Sequence, residues 1–369
     1  MRIPIYQPQL NGNEKQYLNE AFDSGWISSN GEFIHRFESA FAEYLDGSGY
    51  AATCCNGTVA IHLALLALGI QKNDVILVPS FTYVASANPI EMVGAKPLFL
   101  KSCPQSLQIN IQTLPEQLPD NAKAIIVPHL YGMTTDLNAL LSYAQKHSLR
   151  IIEDSAESLG TTYNKQQTGT FGDISTFSFY GNKTITSGEG GMLYSKNKLF
   201  IEKATHFKSQ GLASLNPQKN IKREYWHDVV GYNYRMTNLQ AAVGLAQLEK
   251  IEDKILQKRD IHKRYALSLK DTSARILSES ENTRSSYWMI CVIFENPESC
   301  SKVRTALKEN NVDTRPLFPP VDSMPMYQNA SIDCSCNDLW KRGINLPSFP
   351  DLTPSQIEFI TDIIKKELL

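Results

Sequence analysis

One lysine, Lys183, stands in the stretch FYGNKTITSGEGG, between a short apolar run and the glycines Gly188, Gly190 and Gly191. A lysine amine, with an ordinary pKa of about 10.4, is a poor nucleophile near neutrality, and burial or a nearby cation activates it by lowering that value. Three further features carry matching chemistry. Asp154 closes the run RIIED, Ser178 closes ISTFS, and Asn56-Gly57-Thr58 sits where a strand-like run passes into a helix-like one. A helix N-terminus with a glycine and a hydroxyl suits a phosphate, because it offers free N–H groups and the positive end of the helix dipole. Taken singly, each has an ordinary structural explanation: helix capping for Asn-Gly-Thr, a cap for the aspartate, a solvated turn for the lysine. Their joint placement is what points to a site.

The nearest phosphate-binding alternatives fail on spacing. A nucleotide P-loop needs glycine before the lysine, whereas Asn182 precedes Lys183 and the glycines follow it. No G-x-G-x-x-G opens a strand-helix-strand unit either, which argues against a dinucleotide fold.

The elements that must position these residues follow from periodicity. From Tyr50 onward strand-like and helix-like runs alternate: YAATCC, GTVAIHLALLAL, DVILVPS, TYVASANPIEMVG, KPLFL, AKAIIVPH, DLNALLSYAQKH and RIIED. Such alternation predicts a parallel sheet with helices on both faces, and ligands of open α/β sheets bind beyond the carboxyl ends of the strands. The runs ISTFSF and GGMLYS flank the lysine turn. Lys208 to Met236 is long, aromatic and aperiodic, a pattern more often functional than idle. A helical pattern capped by Thr237 then runs through TNLQAAVGLAQLEKIEDKILQKRDIHKRYALSL into a smaller α+β unit. The expected division is 1–245 and 246–369.

At 369 residues the chain is long enough for two domains, and 36 Lys+Arg against 38 Asp+Glu leave a formal charge of −2 with no basic block. Nucleic acid and membrane surfaces are therefore not the expected partners; small molecules are. The start, MRIPIYQPQL, lacks the apolar core of a signal peptide, so the cytosol is the expected compartment. Seven cysteines read as reduced thiols, and Cys334 and Cys336 form a C-x-C without the second pair a zinc site needs, so no metal is expected.

Across nearly its whole length the chain resembles the DegT/DnrJ/StrS family of sugar-nucleotide aminotransferases. The resemblance runs through SGWISSNGEFIHRFESAFAEYL, NGTVAIHLALLALGI, VPSFTYVASAN, VPHLYG, IEDSAESLG, GTFGDISTFSFYGNKTITSGEGGM, YWHDVVGYNYRMTNLQAAVGLAQLEKI, DTRPLF and GINLPSFP. It implies fold type I of the pyridoxal-phosphate enzymes, aspartate aminotransferase-like. That fold has a mixed, mainly parallel sheet in the large domain, a smaller C-terminal α+β domain, and a homodimer with shared active sites. It further implies that Lys183 links covalently to pyridoxal 5'-phosphate (PLP), with pyridoxamine phosphate as the intermediate, and that Asp154 pairs with the pyridine nitrogen. Glu157 would lie near the 3-oxygen and Tyr83 against the ring. Gly57, Thr58 and Ser178 would hold the phosphate, joined by Asn233 from the other subunit. His227, Arg235, Arg315 and Phe318 are candidate substrate contacts.

The implied reaction moves an amino group from L-glutamate to C4 of a nucleotide-linked 4-keto-6-deoxy sugar. GDP-4-keto-6-deoxy-D-mannose is the first expectation and UDP- or dTDP-linked keto sugars are the alternatives; a regulator that keeps the pocket without catalysis is a reading of another class. Asp322 stands where the family pattern has histidine, and Pro319 where it has tyrosine. The glycines after Lys183 are expected to leave room around a lysine that is covalently engaged and then mobile.

Overall fold

The computed structural model describes residues 2–219, 221, 223–330 and 338–368. Cys334 and Cys336 lie outside them. A seven-stranded sheet forms the centre of the larger part, in the spatial order Tyr50–Cys54, Gly191–Ser195, Ile174–Ser178, Arg150–Asp154, Ala122–Pro128, Val75–Pro79, Lys96–Leu100. The last five run parallel to one another, and Gly191–Ser195 runs antiparallel to both its neighbours. The sheet is thus mixed and mainly parallel. Its strands bury both faces, as the apolar runs require: Ile76, Ile126 and Ile152 sit in one cluster, Leu77, Ile125 and Ile151 in another.

Each strand meets its helix through local chemistry. Asn56 caps the helix Gly57–Leu68 by accepting the Val59 N–H at 3.0 Å. Asp136 does the same for Leu137–Lys146, and Thr237 closes a capping box with Gln240 at the start of Asn238–Leu248. The long helical pattern after Thr237 is two helices, Asn238–Leu248 and Ile251–Leu269. The Lys250 N–H turns back to Gln247 O, and the Glu249 carboxylate is taken by Asn13 and Tyr17. No glycine or proline marks this break. The TYVASANPIEMVG run, similarly, holds only a 3₁₀ turn, Val84–Ser86, and a short helix, Asn88–Met92.

The smaller part is an antiparallel four-stranded sheet in the order Arg275–Ile276, Ile290–Ile293, Gly343–Leu346, Arg315–Pro316, packed with the helices Pro297–Glu309 and Pro354–Leu368. The division at 245/246 lies within the helix Asn238–Leu248. The N-terminus also joins this part: Ile3 pairs with Val312, the Ser348 N–H donates to Ile5 O, and Ile3 and Ile5 are buried in the same core as Ile290, Val303 and Ile344. The chain's beginning and end therefore share one core.

Candidate active site

Beyond the carboxyl ends of the parallel strands lies a cleft of about 500 Å³. Lys183, Asp154, Glu157, Ser178, Gly57, Thr58 and Tyr83 all line it, as does Phe318. These eight residues come from five separate stretches of sequence, so their convergence is produced by topology.

Asp154, at the end of its strand, is buried. Its Oδ2 accepts a hydrogen bond from the Ser86 hydroxyl at 2.6 Å, and its Oδ1 one from the Ala156 N–H at 3.2 Å. Ser86 in turn lies 3.0 Å from the Thr82 hydroxyl. The strand's alternation turns the preceding residue, Glu153, to the opposite side, where it accepts from the N–H groups of Gly169, Phe171 and Gly172 and meets His129 Nε2 at 3.0 Å. Burial works against ionisation of Glu153, yet His129 and these N–H groups hold its carboxyl below the usual range. The Asp154 backbone is thereby anchored through its neighbour.

Lys183 Nζ sits 4.0 Å over the Trp288 ring and 3.5 Å from Glu157 Oε1, with the lysine side chain only 13% exposed. Its turn is fixed from below: the Tyr6 hydroxyl donates to Lys183 O at 2.6 Å and the Trp288 Nε1–H to Asn182 O at 2.7 Å. Tyr6 belongs to the N-terminal segment and Trp288 to the smaller part that this segment joins, so the smaller part holds the lysine turn of the larger one at two points. Glu157 is 6% exposed and accepts the Tyr131 N–H at 2.9 Å. Burial pushes its carboxyl up to about 7, against the pull of Lys183 and of that N–H.

The anion end of the cleft is built from Gly57, Thr58 and Ser178. The first N–H groups of the helix Gly57–Leu68 have no intrahelical partner and point out of its end. A Cβ on Gly57 would stand 2.8 Å from the Ser178 Cβ, so only glycine permits the strand end and helix start to come this close. The cradle fits a phosphate monoester, and the carboxylate, lysine and aromatic walls fit the pyridine aldehyde that the resemblance implies. Two of the glycines after the lysine also have a packing role. A Cβ on Gly191 would fall 2.5 Å from the Asn56 carbonyl oxygen, and one on Gly190 2.6 Å from the Met236 Cε, whereas one on Gly188 would meet nothing within 4 Å.

Four of the candidate residues stand elsewhere. His227 is exposed, its Nδ1 2.9 Å from Gln210 O; Arg235 Nε donates to Ser29 Oγ at 3.0 Å; Arg315 is exposed on its short strand; and Asn233 pairs with Ser209. None of these four lines this cleft. Asp322 is buried and accepts a hydrogen bond from the Ser80 hydroxyl, while the Val321 N–H donates to Ser80 O at 2.8 Å. That clasp ties the segment after Pro316 to the large sheet and sets Phe318 beside Tyr83 and Tyr131, each with ring centroids 5.3 Å away. Sequence reasoning missed Thr82, Ser86, His129, Tyr131 and Trp288. The first four lie inside the quoted stretches VPSFTYVASAN and VPHLYG, but nothing in their types sets them apart there; Trp288 comes from 105 residues beyond Lys183.

Residues 8–365 match the DegT/DnrJ/EryC1/StrS aminotransferase family. The chain is 45% identical over 365 residues to GDP-perosamine synthase of Escherichia coli O157:H7, covering 99% of this chain and 98% of that protein. It is 44% identical to the protein of the same name from Vibrio cholerae, with 98% of each covered. Among solved structures, a DegT DnrJ EryC1 StrS aminotransferase from Brucella abortus superposes with a TM-score of 0.86 at 25% identity, over 96% of this chain and 95% of that one. A lysine, two buried carboxylates and a helix-end cradle in one cleft, on a chain matched from residue 8 to residue 365, thus leave its membership settled: this chain belongs to the DegT/DnrJ/EryC1/StrS aminotransferase family.

Proposed function

We propose that the chain is a PLP-dependent aminotransferase that moves the amino group of L-glutamate to C4 of GDP-4-keto-6-deoxy-D-mannose, yielding GDP-perosamine, and that it works in the cytosol as a homodimer. The supporting observation is the convergence of Lys183, Asp154, Ser178 and the Gly57-Thr58 helix end on one cleft. The names of the relatives that are 44–45% identical support the substrate. Among the described residues no helix is long and apolar enough to cross a membrane.

When bound, PLP supplies an electron sink for a carbanion at the substrate carbon. Asp154, aimed by Ser86 and Ala156, would hold the pyridine nitrogen with its negative charge; Gly57, Thr58 and Ser178 would hold the phosphate; Tyr83 would cover the ring, and Glu157 would lie near the 3-oxygen. Lys183 would hold the cofactor through its amine and would move a proton to and from the substrate carbon, a task that the support of its turn by Tyr6 and Trp288 suits. Trp288 and Phe318 wall the cleft, keeping water from the lysine. Asn233 of the partner subunit would complete the phosphate contacts, and His227, Arg235, Arg315 and Phe318 are the candidates for meeting the sugar nucleotide or the glutamate carboxylate.

The test has two stages. Wild-type protein given PLP should turn yellow, lose the colour on borohydride treatment and regain a different spectrum with glutamate, whereas Lys183→Ala should show no borohydride-fixed label. A mass-spectrometric screen of GDP-, UDP- and dTDP-linked 4-keto-6-deoxy sugars with glutamate then reads replacement of a ketone oxygen by an amine. Amination of only the UDP or dTDP compounds would refute the GDP assignment, and binding of PLP without any conversion would favour the regulator reading.

A further inference from the structure

Besides Asp154 the cleft contains a second buried carboxylate, Glu157, the third, Glu189, being exposed, and its position is unlike that of a residue serving only to touch a ligand. Glu157 is almost wholly enclosed, yet it faces the lysine amine directly, Oε1 to Nζ, at 3.5 Å. The other oxygen is fixed by the Tyr131 N–H. Tyr131 itself takes a left-handed backbone conformation, φ 58° and ψ 20°, which is costly for a non-glycine residue and concentrates at functional sites. On the far side of the lysine amine lies the Trp288 ring, whose face attracts a cation but cannot accept a proton. The charged and titratable groups around Glu157 are Lys183, Asp154, Tyr131 and the buried Cys291. Among them Lys183 is the one cation.

A lysine that must attack a carbonyl has to shed a proton first, and in a closed cleft the proton needs a receiver within reach. We propose that Glu157 is that receiver: Lys183–NH₃⁺ passes one proton from Nζ to Glu157 Oε1, leaving a neutral amine and a carboxylic acid, and takes it back when the lysine is released. The step conserves charge, since an ion pair becomes two neutral groups, so it needs no water and no counter-ion in a site of low polarity. A carboxyl poised near neutrality is a better receiver than one in the ordinary carboxylate range, because the uphill step from an amine to it is smaller. Asp154, whose Oδ2 accepts from the Ser86 hydroxyl, takes no part in this exchange.

This inference rests on reading Lys183 as the cofactor-linking lysine, and the experiment separates the two. In full-length protein freed of cofactor, pH-difference infrared spectroscopy should show a protonated carboxyl that disappears with a midpoint near 7, is missing in Glu157→Gln, and moves up by about a pH unit or more in Lys183→Ala. A midpoint within the ordinary carboxylate range, about 4 to 5, or one that Lys183→Ala leaves unmoved, would overturn the proposal. As a second readout, covalent capture of added PLP, followed by absorbance, should be slowed on the order of 10²-fold at pH 7 in Glu157→Gln, with the deficit closing as the pH approaches about 10, where lysine loses its proton unaided. Equal capture rates at every pH would refute the relay. Failure of the wild type to capture PLP at all would sink the reading of Lys183, while the infrared titration would still decide whether the pair shares a proton.

Discussion

Lys258 gives the sharpest test of how the fold's energy depends on pH. It lies on the helix Ile251–Leu269, fully buried, where its amine donates to the Ser348 carbonyl oxygen and lies 5.4 Å from the centre of the Tyr6 ring. Burial lowers its pKa from the usual 10.5 to about 7. Below pH 7 the folded and unfolded chains both hold the proton, and the folded state bears the whole cost of a buried charge. Between pH 7 and 10.5 the unfolded chain binds a proton that the folded one has released, so stability rises with pH. The slope is about 1.4 kcal/mol per pH unit, roughly 4 to 5 kcal/mol across the interval. Lys258→Met keeps the volume and removes the titration. Its other consequence, an unpaired Ser348 carbonyl at about 1–3 kcal/mol, does not vary with pH. Urea denaturation of both proteins from pH 6.5 to 9.5 should therefore show wild type gaining stability relative to the variant, by about 1.4 kcal/mol for each pH unit above 7. A difference curve that stays flat over this range would refute the placement of an uncompensated ammonium in the core.

Two other substitutions probe the cleft. Ser86→Ala removes a 2.6 Å hydrogen bond to the buried Asp154 carboxylate; bonds to charged groups contribute about 1.5–3 kcal/mol, so PLP affinity measured by fluorescence titration should fall about 10- to 100-fold. An affinity within twofold of wild type would show that Ser86 does not hold Asp154. Gly57→Ala puts a Cβ 2.8 Å from the Ser178 Cβ, which should cost about 1–3 kcal/mol of stability through overpacking and weaken inorganic phosphate as a competitor of PLP. Unchanged thermal midpoint and unchanged competition would argue that the helix start moves freely away from the strand.

What could be read from the sequence was what depends on neighbours along the chain. Apolar alternation located all seven strands of the large sheet, and the caps at Asn56 and Thr237 lie where their side chains suggested. In the chemical core, Asp154, Ser178, Gly57 and Thr58 stood out because each lies at a strand end or helix start and topology gathers those ends, Lys183 because it sits in the glycine-rich turn just after one of them, and Glu157 only through the family resemblance. The remainder depends on contacts between distant segments. Thr82 and Ser86 read as ordinary hydroxyls until the fold carries Ser86 to Asp154, 68 residues away. The break after Leu248 has no glycine or proline because it is produced by Asn13 and Tyr17 binding Glu249. The packing partners of Gly190 and Gly191, Met236 and the Asn56 loop, could not be read either, since neither is near in sequence.

The shared core of the chain's two ends sets a timetable for making the enzyme. Ile3 and Tyr6 leave the ribosome before Val312 and Ser348, which seat that segment. Until they arrive the segment that sets the Tyr6 hydroxyl under Lys183 lacks these anchors, so the lysine turn is locked into place only once the chain has been made through Ser348. Copies cut short before Ser348 should therefore hold the Lys183 turn less firmly, which makes its ordering a late event in synthesis.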